Sequence, residues 1–158
     1  MSEPGDGALV IGLGNRLRGD DGAGPRVAEL VAERAPELEV IVCEREPSDL
    51  LLRWDGARVA VIVDAVAGPT PGTVHRLELD HEELAERPGP TASTHALDLS
   101  EVVELGRELG RMPKRLVVFG IEAESFATGG GLSPPVCERV GALADAVISE
   151  ARGEPPQG

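Results

Sequence analysis

Apolar residues along the chain gather in two kinds of segment. Short, largely aliphatic runs at 8–11, 38–42, 59–63 and 115–120, bounded by glycine or polar residues, read as strands, those at 8–11 and 59–63 as buried central ones. A fifth run, 73–79, alternates Val74, Arg76 and Glu78 against Thr73, His75, Leu77 and Leu79, the pattern of an edge strand, antiparallel to the rest. Helical spacing fills the gaps between runs. Val27, Leu30 and Val31 share one face over 25–34, and Leu50, Leu51, Leu52 and Trp54 fit a short helix capped by Ser48 or Asp49. A helix opening at Ala96–Leu99 turns Leu99, Val102, Val103, Gly106 and Leu109 inward. A last one, 135–150, follows a capping Ser133 and buries Val136, Val140, Leu143, Ala144, Val147 and Ile148. Strand and helix alternate without an internal repeat. The expectation is one α/β domain over 1–158, a three-layer αβα sandwich around a twisted, mostly parallel sheet of about five strands, with loose tails at 1–7 and 153–158.

In such folds ligands collect beyond the carboxyl ends of the strands, so the loop after the first strand is where chemistry is sought. Gly12 and Gly14 break that strand, and Asp20, Asp21, Gly22 and Gly24 lead into the first helix. A dinucleotide fingerprint requires a third glycine where Leu17 stands, and two aspartates would repel the pyrophosphate that a helix N-terminus attracts. No phosphate-binding lysine followed by Ser or Thr is present either. One aspartate could cap the helix, with Pro25 in its first turn. Two adjacent acids among glycines exceed what a cap needs. Asp64 closes the third strand on the same edge, where it either bonds nearby backbone N–H groups or acts as a ligand. His75 and His81 read as surface residues without an acidic partner at motif spacing.

Composition narrows the functional classes. Aromatic residues are only 2% of the chain against 41% hydrophobic, so the core has to be aliphatic. A net charge of -13 disfavours nucleic acid and anionic membrane as partners; it suits a basic macromolecular surface, or simply keeps the protein in solution. Cys43 and Cys137 stand alone, without the spacing of a thiolate zinc site or a redox pair. Neither a long apolar segment nor a basic-then-apolar leader is seen, and the expected location is the cytoplasm.

Gly12-x-Gly14-Asn15 followed by Asp20-Asp21-Gly22-x-Gly24 resembles the N-terminal motif of the hydrogenase maturation proteases. Asp64 at a strand end, Ser93-Thr94-His95 ahead of a helix, Ile121-Glu122 and Gly131-Leu132-Ser133-Pro134 spread the resemblance over nearly the whole chain. The resemblance implies an endopeptidase that trims the C-terminal extension from the nickel–iron hydrogenase large-subunit precursor after nickel insertion. It also implies that Asp21, Asp64 and His95 are the metal-binding residues, although a single histidine before a helix would otherwise pass as a polar loop residue. Two carboxylates and an imidazole suit a borderline divalent ion, nickel carried by the precursor or another such as zinc. Asp21 or Asp64 would be the general base if nickel only positions the substrate; metal-polarised hydrolysis is the other route. Many family members carry an Asp-Gly-Gly-Thr-like segment after the second strand, where this chain has Glu44-Arg45-Glu46-Pro47-Ser48; if that segment reads the partner, as the resemblance implies, the target hydrogenase differs or is recognised differently. The expected partner is the nickel-loaded precursor, met by a monomer. Two other readings compete: a non-catalytic nickel-binding maturation chaperone, and a nucleotide-binding α/β protein whose aspartates merely cap a helix.

Overall fold

A computed structural model describes residues 7–44, 50–79 and 94–153, with the side chains of 79 and 94–100 outside that description. The strands are β1 (Ala8–Leu13), β2 (Glu39–Cys43), β3 (Val59–Ala67), β4 (Val74–Leu79) and β5 (Leu116–Ala123). The helices are α1 (Ala23–Arg34), α2 (Leu50–Trp54), α3 (Thr94–Leu109), α4 (Pro134–Cys137) and α5 (Val140–Arg152), and a 3₁₀ turn at Gly19–Gly22 precedes α1. They form one five-stranded sheet in the order β2-β1-β3-β5-β4, parallel except for the antiparallel edge strand β4.

Alternation along the strands builds two aliphatic layers. Val10, Val61, Val63, Phe119 and Ile121 face α1 and α5, joining Val27, Val31, Leu143 and Val147. Leu9, Ile11, Ile62 and Leu116 face the other way, onto Leu50, Trp54, Val102 and Val103 of α2 and α3. With few aromatic rings available, β-branched residues fill the sheet's interior, which suits strands covered on both faces. The single tryptophan is fully buried and its indole N–H donates to the Arg111 carbonyl at 2.8 Å.

The expected architecture is present, with local differences. β3 does not stop at Asp64: β1 pairs with it only as far as Gly12–Val63, whereas β5 continues alongside to Ala67–Ala123, so the ladder carries the strand on. The last helix is two. Glu138 N–H closes back on Pro134 and Val136, ending a single turn, and α5 starts afresh at Val140. Leu109, the last residue of α3, points outward at 57% exposure; the chain turns back there, Arg111 N–H bonding the Gly106 carbonyl, and Met112 enters the core instead. The Ser48 and Asp49 caps, His81, Arg45–Ser48 and most of both tails lie outside the described residues.

Sheet order decides where a site can form. From β1 the chain moves outward to β2, then returns across β1 to β3, so the crevice between the carboxyl ends of β1 and β3 is the topological switch point.

Candidate active site

The chain leaves β1 through Gly14, whose φ of 136° is open to glycine and whose missing side chain makes room for the Asp21 carbonyl. Gly14 N–H donates to the Cys43 carbonyl at 3.1 Å, and the Asn15 side-chain oxygen accepts Leu17 N–H at 2.8 Å, a local turn that brings the chain back on itself. Gly24 then seats the first turn of α1 against the strand ends. A methyl group there would overlap the Leu13 carbonyl and stand 2.7 Å from that of Val63. The 3₁₀ turn carrying Asp20 and Asp21 is thus held over the β1–β3 crevice and packs against β3.

The two adjacent acids have different tasks. Asp20, 1% exposed, receives hydrogen bonds from Glu124 N–H at 2.7 Å, Ser125 N–H at 3.3 Å, Ser133 N–H at 2.6 Å and the Ser133 hydroxyl at 2.7 Å. It ties the first loop to the segment after β5. It does not cap α1, whose N-cap is Gly22 without a side-chain bond, and Ser133, expected as a cap, spends its hydroxyl on Asp20. Asp21 is fully buried, and its Oδ2 accepts Asn15 N–H at 2.8 Å.

Asp64, 2% exposed, lies one residue past the last β1–β3 pair. Its side chain shares the parity of Ala60 and Ile62 and so faces the α2–α3 side of the sheet. α3 ends at the opposite, amino edge, where Gly56 N–H bonds the Met112 carbonyl and Lys114 N–H the Ala57 carbonyl. Its 16 residues span about 24 Å, close to the length of β5, which returns its N-terminal turn to the carboxyl edge. His95 belongs to that first turn rather than to the loop before it, and its side chain lies outside the described residues. Asp21 and Asp64 therefore share the switch-point edge, with the backbone of His95 on the face to which Asp64 points. Among the described residues, no three His, Cys, Asp or Glu side chains form a metal-binding group.

A further pair was not foreseen. His75, on β4, meets the Glu122 carboxylate at 2.6 Å, and the other oxygen of Glu122 accepts Thr70 N–H at 2.8 Å. The hydrogen bond from His75, then that from Thr70, hold the Glu122 carboxyl below the usual range. The partners are 47 residues apart, and only the β4–β5 register reveals that they share a face.

Fold and site together define a doubly wound α/β protein with two buried carboxylates at its switch point. The structure superposes on the Escherichia coli hydrogenase maturating endopeptidase HybD with a TM-score of 0.77 at 26% identity, over 92% of each chain. For the [NiFe] hydrogenase maturation protease HybD of Thermococcus kodakarensis the TM-score is 0.73 at 26% identity, over 91% of this chain and 98% of that one. In sequence the chain is 33% identical to the hydrogenase expression/formation protein HupD of Thiocapsa roseopersicina over 137 residues, 84% of this chain but 62% of that longer relative. It is 29% identical to the E. coli hydrogenase 2 maturation protease over 149 residues, 91% of this chain and 90% of that protein. The model of the HycI family, hydrogenase maturation protease, matches residues 25–150. The chain belongs to the hydrogenase maturation protease family.

Proposed function

We propose that this hydrogenase maturation protease is the endopeptidase that removes the C-terminal extension of a nickel–iron hydrogenase large-subunit precursor once nickel is in place. It does so as a cytoplasmic monomer, with the metal as its recognition element. Nickel belongs to the substrate in this reading. The observation that carries it is the division of labour on the first loop: Asp20 is consumed by four hydrogen bonds, whereas Asp21 lies buried at the same edge as Asp64.

Two buried carboxylates at one edge repel each other unless a proton or a cation stands between them. A precursor-borne nickel ion answers that charge, and carboxylate and imidazole are ligands a borderline ion accepts. Asp21, Asp64 and His95 would contact the ion, which orients the scissile carbonyl. One of the two aspartates takes the proton from the attacking water. The water oxygen bonds to the carbonyl carbon, the C–N bond breaks, and the departing nitrogen gains a proton. The large subunit is left with a carboxyl terminus and the extension with a free amine.

Asp64→Asn keeps the shape of the side chain and removes its charge. Incubated with nickel-loaded precursor, this variant is expected to lose cleavage and to bind the precursor less tightly, as read by intact mass and by pull-down. Survival of both would remove Asp64 from the site.

A further inference from the structure

The register of the sheet places Asp64, Gly120 and His75 side by side on β3, β5 and β4, all on the α2–α3 face. Two strand spacings separate the Cα atoms of Asp64 and His75 by about 9–10 Å. Between them Gly120 contributes no side chain, and Val66, half-buried, reaches to within 3.4 Å of where its Cβ would be. Two residue pairs further along, on the same face, Glu122 lies beside Val66 and fixes His75 through one ring nitrogen. The rest of the ring is open to solvent, its side chain being 60% exposed while that of Glu122 is 7% exposed. His75 thus stands exposed beside a half-buried Val66, two strands away from the buried Asp64, with Gly120 buried between them.

A buried carboxylate that anchors one nitrogen of an exposed imidazole orients the ring and leaves its second nitrogen for another partner. Resting on the endopeptidase reading, we propose that this strip of the sheet is a substrate subsite. An extended segment of the precursor next to the scissile bond lies over Val66, and His75, positioned by Glu122, hydrogen-bonds its backbone. His75 is a positioning and specificity residue in this scheme, and the bond-breaking groups stay on the Asp64 side.

The test measures both affinity and turnover on nickel-loaded precursor for wild type, His75→Ala and Glu122→Gln. A hydrogen bond to the substrate predicts that His75→Ala weakens precursor binding and raises KM roughly tenfold, with kcat within about threefold of wild type. Glu122→Gln should act in the same direction and more weakly, because the ring is still present but less firmly held. Wild-type KM and affinity in both His75→Ala and Glu122→Gln would overturn the subsite. A wild-type protein that binds precursor without cutting it would overturn the endopeptidase reading alone, since the affinity differences would still report the subsite.

Discussion

At the scale of single residues the decisive contrast is between neighbours. Asp20 holds four donors across a sequence gap of more than 100 residues, so replacing it leaves buried N–H groups without an acceptor. Asp20→Ala is expected to destabilise the protein by about 2–4 kcal/mol, a drop of roughly 5–15 °C in midpoint by thermal unfolding. Asp21→Asn and Asp64→Asn should behave in the opposite way, with stability held or improved because a buried charge is removed, and cleavage down by at least about 100-fold. Equal losses of stability in all three would erase the distinction between clamp and chemistry. Sequence marked Asp20 and Asp21 as unusual but had no means to separate their roles, because the donors that claim Asp20 come from the far end of the chain. His75 is the surface residue its sequence suggests, but its acidic partner was hidden for the same reason: Glu122 reaches it only through the pairing of β4 with β5.

At the scale of elements the first turn of α1 is the part most tightly set. Gly24 lies against the Leu13 and Val63 carbonyls, and Gly24→Ala would have to lift the helix off the strand ends that it roofs. A loss of about 2–3 kcal/mol is expected, read as a lower urea midpoint with an unchanged slope. Cleavage should fall further than stability explains, since the turn bearing Asp21 moves with the helix. The five strands, the antiparallel edge and, Leu109 aside, the described inward faces of the long helices were legible from period alone, because the central strands are buried and aliphatic, β4 alternates, and each long helix has one apolar side. Element ends were less legible. Hydrophobic period cannot tell that β5 extends β3 beyond Asp64, nor that the chain breaks between Cys137 and Val140, because both depend on hydrogen bonds to other segments. His95 was placed one residue before its helix for the same reason.

At the scale of the whole molecule, charge is organised around β4, β5 and α5. Glu78 bridges Arg115 and Arg76, and both arginines also reach Glu150. The hydrogen bond from Arg115, then that from Arg76, push the Glu78 carboxyl down to about 2. A carboxyl lowered on folding stabilises the fold above its unfolded value, about 4.3, and loses that contribution as pH falls toward 2. Glu78 is 39% exposed, so solvent screening keeps the effect modest. Wild type should be more stable than Glu78→Gln near neutral pH, and the gap should close between about pH 4.5 and 2 in thermal melts. A constant gap would show that the arginines stabilise the fold by packing rather than by charge. Apart from this cluster, among the described residues no helix is long and apolar enough to cross a membrane. The central claim, that two buried aspartates at the switch point cut a precursor recognised by its nickel, is tested most directly by intact-mass analysis of the partner large-subunit precursor, incubated with this protein with and without nickel. Loss of a C-terminal peptide from the nickel-loaded form alone is expected. Cleavage of both forms would contradict the role of nickel in recognition, and cleavage of neither would contradict the peptidase itself.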